Sequence, residues 1–223
     1  MVTELPPGRG TMEAQQTSIG VPTGNVTVQL QGVTATVSVG TPLPLRLADD
    51  APVVTLAAGL LSLGASVEDG TLIEAVAIPW FEIIALLNAD PDAVRLDPRQ
   101  WEEIIAGAYT HAGFDEVILT PRSGDLGRDV IATRTGVCSV RVFDQVKAYK
   151  PGHLVSADEV RALYGVVAAA PNVTKGIVTT TSDFAPRLRE DRILAPHIPH
   201  RLELKPRSVL LPWLNEIASK GRR

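Results

Sequence analysis

Two stretches decide the fold: Trp101–Ala132, WEEIIAGAYTHAGFDEVILTPRSGDLGRDVIA, and Phe143–Lys150, FDQVKAYK. The first is entered through Asp97-Pro98-Arg99-Gln100, which has the form of a capping box with Asp at the N-cap, Pro at N1 and Gln at N3. Trp101, Ile104, Ile105, Ala108 and Ala112 then fall on one stripe at helical spacing, and Gly113 is placed to end the helix. Beyond it, Glu116–Thr120, Arg128–Thr133 and Cys138–Tyr149 read as three strands, rich in branched residues and separated by Gly, Pro and Asp.

The same signals continue downstream. Ser156 and Glu159 form a second capping box ahead of a helix running to about Ala170, and Lys175–Thr181 (KGIVTTT) reads as a buried strand. Phe184–Leu194 reads as a helix, Arg201–Lys205 as a last strand and Pro212–Ser219 as a terminal helix. The order from residue 97 to 181 is thus αβββαβ, an α/β core with a mixed sheet and at least one crossover connection. Upstream, Asn25–Gly40 alternates apolar and polar residues around Gly32, a two-stranded pattern with a turn or bulge. Val53–Ala77 is apolar but weakly periodic, so short strands and buried helix both remain open. Pro79 opens a helix, and Asn88-Ala-Asp-Pro-Asp breaks it. The expected organisation is a disordered tail (1–24), a small accessory domain containing strands and one helix (25–92), and the α/β domain (93–223).

The whole chain carries a net charge of −4, which conceals an asymmetry. Residues 1–92 hold 2 basic and 10 acidic side chains, while residues 93–223 hold 19 and 15. A net positive second part suits an anionic partner, whereas the acidic first part is better suited to a protein partner or to positioning its neighbour. Aromatic residues are only 4% of the chain, so a base-stacking surface for single strands would have few to draw on. The lone Cys138 excludes a disulfide framework and a Cys-rich zinc site, and its alternating surroundings suggest an inert core thiol. The spacing of His111, His153, His197 and His200 is not that of a metalloprotease, and His197-Ile-Pro-His200 fits a surface loop better than a ligand pair. Neither a targeting segment nor an apolar run of membrane-spanning length is visible, so the expectation is a cytoplasmic protein with no membrane partner.

Chemistry concentrates in three places. Gln145 and Lys147 alternate on one face of a strand, Asp129 opens a neighbouring strand just after Gly124 and Gly127, and Glu102 and Glu103 lie early on the first helix. An acid, a polar oxygen and a lysine converging on one sheet face would suit a hard cation such as magnesium, which keeps several waters and needs few protein ligands. Each member also has a plain structural explanation: SGDLG as a turn, Lys147 as a solvated side chain, and the two glutamates as partners of the helix dipole. No Walker A pattern occurs.

Taken in order, the helix, the SGDLGRD loop, the QVK strand, VRALYGVV (160–167) and KGIVTTTSDF (175–184) make residues 97–190 resemble the Mrr-like restriction endonucleases, a branch of the PD-(D/E)xK nuclease superfamily. The resemblance implies a restriction-endonuclease-like fold and Mg²⁺-dependent hydrolysis of DNA phosphodiesters, with Mn²⁺ as a substitute. It also implies a setting in restriction or defence against foreign or modified DNA. It assigns Asp129 and Glu102 to the metal and Lys147 to catalysis, and places Gln145 where the wider superfamily has an acid and this branch commonly has Gln. Glu103 is the alternative to Glu102, about 100° away around the helix. The sequence has Leu126 where the family more often has a glycine, and the neutral Gln145 leaves the site one charge short of its Glu-bearing relatives. That deficit supports a second reading, a weak or inactive nuclease fold that binds DNA or a partner and is targeted by its N-terminal region. Double-stranded DNA would be held mainly through phosphates, by Arg122, Arg128, Lys150 and Lys175, with Arg161, Arg201 and Lys205 adding charge. A homodimer, or pairing on DNA, would supply the two centres needed to cut both strands.

Overall fold

The computed structural model describes residues 26–30, 33–37, 54–55, 59–92, 94–122 and 127–221. In chain order the elements are β1 (Val26–Leu30), β2 (Val33–Val37), β3 (Val54–Thr55), β4 (Leu61–Val67), β5 (Gly70–Val76), α1 (Ile78–Ala89), β6 (Val94–Arg95), α2 (Pro98–His111), β7 (Glu116–Leu119), β8 (Val130–Arg134), β9 (Val140–Lys147), α3 (Ala157–Ala169), β10 (Lys175–Thr180), β11 (Leu202–Lys205) and α4 (Arg207–Gly221). β1 and β2 pair antiparallel across residues 31–32, in line with the alternating pattern around Gly32. From residue 98 to 180 the observed order α2-β7-β8-β9-α3-β10 is the expected αβββαβ. The tail 1–24 lies outside the described residues.

Seven strands form one mixed sheet in the order β11-β10-β9-β8-β7-β5-β4. The three strands β9, β10 and β11 run parallel, and β9-β8-β7-β5-β4 are successively antiparallel. Strand alternation divides the core in two. Val117, Leu119, Val130, Ala132, Val142, Val146 and Ile177 face α1, α2 and α4, whereas Ile118, Ile131, Phe143 and Val178 face α3 and the segment before β11.

Both expected caps are formed. Asp97 accepts the Gln100 N–H at 2.9 Å while Gln100 Oε1 accepts the Asp97 N–H at 2.8 Å, and Ser156 and Glu159 reciprocate in the same way. Gly113 follows α2 at φ +83°, the left-handed geometry that suits glycine.

The apolar stretch 53–77 resolves into the hairpin β4–β5, which extends the main sheet by pairing with β7. The sheet and core therefore run across the boundary placed near residue 92. Trp80, fully buried, donates its indole N–H to the Ile104 carbonyl at 3.0 Å, and Gly107 makes room for it, since a Cβ there would stand 2.6 Å from Trp80 Nε1. The hairpin turn is tied down as well: Asp69 pairs with Arg128 at 3.4 Å and Arg141 at 3.0 Å. Part of the acidic charge of residues 1–92 thus neutralises cations of the sheet.

Three local expectations are corrected. Phe184–Leu194 holds only a short 3₁₀ turn, Leu188–Glu190, because Arg187 adopts φ +65° and Asp191 caps the Ile193 and Leu194 N–H groups. α4 begins at Arg207, so Pro212 lies inside it; the buried stripe Leu210, Leu214 and Ile217 extends the helix back past the proline. Cys138 is exposed in the turn before β9 and is no core thiol, because that strand starts only at Val140.

Candidate active site

β8 and β9 build the centre of the site. Their antiparallel register ends at Val130↔Asp144, and one step further Asp129 lies opposite Gln145, with the Asp129 N–H donating to the Asp144 carbonyl at 2.9 Å. The Asp129 carboxylate accepts the Val146 N–H at 2.6 Å, which binds the acid to the strand that carries Gln145 and Lys147. Thr120, at the end of β7, closes the loop entrance: its hydroxyl donates to the carbonyls of Arg128 (2.5 Å) and Asp129 (3.1 Å). Gly127, at φ +75°, lies directly over Gln145, where a Cβ would stand 2.9 Å from Nε2. The Ser123–Leu126 part of the loop, Asp125 included, lies outside the described residues.

Gln145 is buried, and its Oε1 has no hydrogen-bond partner among the described residues. A buried, unsatisfied carbonyl-type oxygen costs about 1–3 kcal/mol, a deficit that a cation or water would relieve. Lys147, on the same face, reaches toward α3, where its Nζ is 3.9 Å from Glu159 Oε1. Glu159 also takes the Tyr149 hydroxyl. Burial pushes the Glu159 carboxyl up, but the hydrogen bonds from Tyr149 and Ser156 and the Lys147 charge outweigh it and hold the pKa below the ordinary value. The β10 end locks this edge: Thr180 Oγ1 donates to the Lys147 carbonyl at 2.9 Å and Thr181 Oγ1 to that of Tyr149 at 2.7 Å.

Glu102 approaches from α2. It accepts Arg99 Nη1 at 2.7 Å, and the same Arg99 nitrogen donates to the Thr120 carbonyl at 2.8 Å, so the glutamate is drawn to the sheet end where Asp129 emerges. Glu103 turns elsewhere. Burial raises its pKa, and the backbone at Leu60, on the β4 side, supplies its hydrogen bond. Among the described residues no group of three or more His, Cys, Asp or Glu side chains forms a metal cage; strand pairing sets Asp129 opposite Gln145, and Glu102 is linked to this sheet end through Arg99 and the Thr120 carbonyl.

The cations expected to meet DNA divide. Arg122 and Lys150 are exposed. Arg128 pairs with Asp69 and lies 5.0 Å from the Phe143 ring centroid. Lys175 pairs with Glu203 at 3.0 Å and sits at the opposite end of β10 from Thr180, the partner of Lys147, roughly 16 Å away along the strand. Arg161 is taken by Asp158 and Asp191, and Arg201 by the carbonyls of Val173 and Thr174. Lys205 is buried and turned inward.

Sequence reasoning missed what Lys205 does. On the other sheet face, directly beside Gln145 in the chain, Asp144 is fully buried and accepts the hydroxyls of Tyr109 (2.7 Å) and Thr179 (3.0 Å). Burial raises its pKa to about 6 against the opposing pull of Lys205 and the two hydroxyls. Lys205, its ammonium 3.6 Å from the Trp213 ring centroid, is pushed below its usual pKa by burial. Period-two alternation does place Asp144 opposite in face to Gln145, but nothing in the sequence pairs it with Lys205.

Comparison with known families decides the affiliation. The restriction endonuclease family of the Mrr catalytic type matches residues 93–196. This segment is an Mrr-like restriction endonuclease domain. It spans α2, β7–β9, α3 and β10, the elements that carry Glu102, Asp129, Gln145 and Lys147. Two solved structures are similar to the chain. One is the DNA modification-dependent restriction endonuclease AspBHI, with 16% identity and a TM-score of 0.44, covering 86% of this chain and 44% of that one. The other is the MspJI restriction endonuclease in complex with a 27-mer oligonucleotide, with 18% identity and a TM-score of 0.41, covering 66% and 33%. The chain thus spans less than half the length of either. No curated protein matches it. Among the described residues, no helix is long and apolar enough to cross a membrane.

Proposed function

We propose that the Mrr-like domain is a divalent-metal-dependent endodeoxyribonuclease that cleaves double-stranded DNA in a restriction or defence system, acting on foreign or modified DNA. The observation that carries this reading is Asp129 held opposite Gln145 with Lys147 two residues on, at the sheet end toward which Arg99 draws Glu102. Mg²⁺, or Mn²⁺ in its place, fits these oxygens: Gln145 Oε1, without a partner among the described residues, is a ready acceptor, and Asp129 and Glu102 supply charge. When bound there, such an ion would stabilise charge on the phosphate and make a bound water more acidic.

The side chains have separate tasks. Asp129 is fixed by the Val146 N–H, so its carboxylate is oriented before any ligand arrives. Gln145 contributes an oxygen without charge, which leaves Glu102 the more important second anion. Lys147 orients the attacking water for in-line displacement and offsets negative charge developing on the phosphate, while Glu159 steadies its ammonium. The hydrolysis needs no covalent intermediate with the protein.

We further infer that residues 25–92 act as an accessory element and that two copies of the chain supply the two centres for a double-strand break. Supercoiled plasmid incubated with Mg²⁺ or Mn²⁺ should be nicked or linearised by wild type, and neither by wild type in EDTA nor by Asp129→Ala. Plasmids of differing modification that all stay intact with either metal would refute hydrolysis and leave the binding reading.

A further inference from the structure

A cavity of about 520 Å³ opens beside the proposed centre, between the end of α1, β6, the first turn of α2, the segment after β9 and the start of α4. That volume lies within the ~300–1,000 Å³ of small-molecule sites. Its walls include Trp101, immediately before Glu102, and Tyr149, two residues after Lys147. Leu87 and Leu210 belong to an apolar portion, and Arg95 and Lys150 are exposed on its lining.

Two of the cations on this lining are unpaired: Arg207 is held by Asp92 at 2.9 Å, whereas Arg95 and Lys150 make no ion pair with any described residue. Trp101 likewise donates its indole N–H to no described residue and, though packed against the core, is only partly buried. Two unpaired cations and a partly exposed indole around one concavity match a planar heteroaromatic group joined to phosphates.

We propose that this cavity is a nucleotide subsite: it takes one unstacked base of the DNA strand beside the scissile phosphate against Trp101, with Arg95 and Lys150 on the flanking phosphates. The subsite rests on the reading of DNA as substrate but requires neither metal nor hydrolysis. Stacking on an aromatic is tolerant of base identity, so it would grip a strand without specifying sequence.

The test uses the full chain in EDTA and a single-stranded tetradeoxynucleotide carrying a 5′ fluorophore, followed by fluorescence anisotropy. Saturable binding is expected, weakened about tenfold or more by Trp101→Leu and only a few-fold by Trp101→Phe, which keeps a stacking face. Arg95→Ala with Lys150→Ala should lower the slope of log affinity against log salt by about 1.4, the value for two phosphate contacts on a single strand. Thermal melts establish that each variant is folded. Unchanged binding by folded Trp101→Leu, or equal binding of a tetramer stripped of its bases, would overturn the subsite. So would binding of free dAMP as tight as that of the tetramer, which would make the cavity a free-nucleotide site. Plasmid left intact with metal while the tetramer binds as described would count against hydrolysis alone; cleavage with Trp101 irrelevant to binding would count against the subsite alone.

Discussion

Lys205→Met breaks the buried charge pair beneath the site while leaving an unbranched side chain on Trp213. Asp144 and Lys205 are 0% and 5% exposed, and each pulls the other toward its charged form. In wild type the Asp144 carboxyl titrates at about 6 instead of 3.8, because burial favours the neutral acid. A carboxyl raised in the folded state binds its proton more tightly there than in the unfolded chain. Its contribution is therefore fully present below pH 3.8 and lost as pH rises through 6, a total on the order of 3 kcal/mol. Removing Lys205 takes away the main opposing charge, raises the Asp144 pKa further and extends that loss to higher pH. Urea unfolding should show Lys205→Met destabilised by about 3–5 kcal/mol at pH 8 and far less at pH 5, where Asp144 is protonated. Asp144→Asn keeps an oxygen for the Tyr109 and Thr179 hydroxyls, so the double variant should lie within about 1 kcal/mol of wild type at pH 8. A loss independent of pH, or a double variant as unstable as Lys205→Met alone, would refute the electrostatic argument and assign the effect to packing on Trp213.

Three further outcomes follow from backbone and exposure. Gly127→Ala should cost about 1–2 kcal/mol for its left-handed backbone and, by displacing the Gln145 amide, reduce cleavage more than tenfold. Gly113→Ala, at φ +83° with no atom within 4 Å of the added Cβ, should show a similar stability cost in the same urea titration with cleavage unchanged. Cys138, exposed in its turn, should react stoichiometrically with a thiol reagent in the native protein within minutes; protection until denaturant is added would contradict the observed turn.

The legible parts of the sequence were those governed by local rules. The capping boxes at Asp97 and Ser156 depend on four adjacent residues, and both helices start where those residues place them. Alternation put Gln145 and Lys147 on one face, as found. Local rules failed where distant contacts decide. Phe184–Leu194 has helical spacing, yet the left-handed Arg187 and the Asp191 cap prevent a helix. Residues 61–76 look ambiguous because the hairpin they form is anchored in the sheet by β7, more than forty residues on, which pairs with Thr71 and Leu72. The basic residues of the second part look alike in sequence, but Asp69, Glu203 and the core claim Arg128, Lys175 and Lys205, which leaves Lys150 and Arg122 at the surface. Glu102 and Glu103, equivalent in sequence, are separated by Arg99, which ties only Glu102 to Thr120.

The central claim is that Lys147 acts in hydrolysis from its place beside Asp129 and Gln145. Single-turnover cleavage of a defined duplex with Mg²⁺, measured alongside duplex binding in Ca²⁺ or EDTA, tests it most directly for wild type and Lys147→Ala. Cleavage is expected to slow at least a hundredfold in Lys147→Ala, with binding changed only a few-fold. A Lys147→Ala protein that cuts as fast as wild type would contradict it.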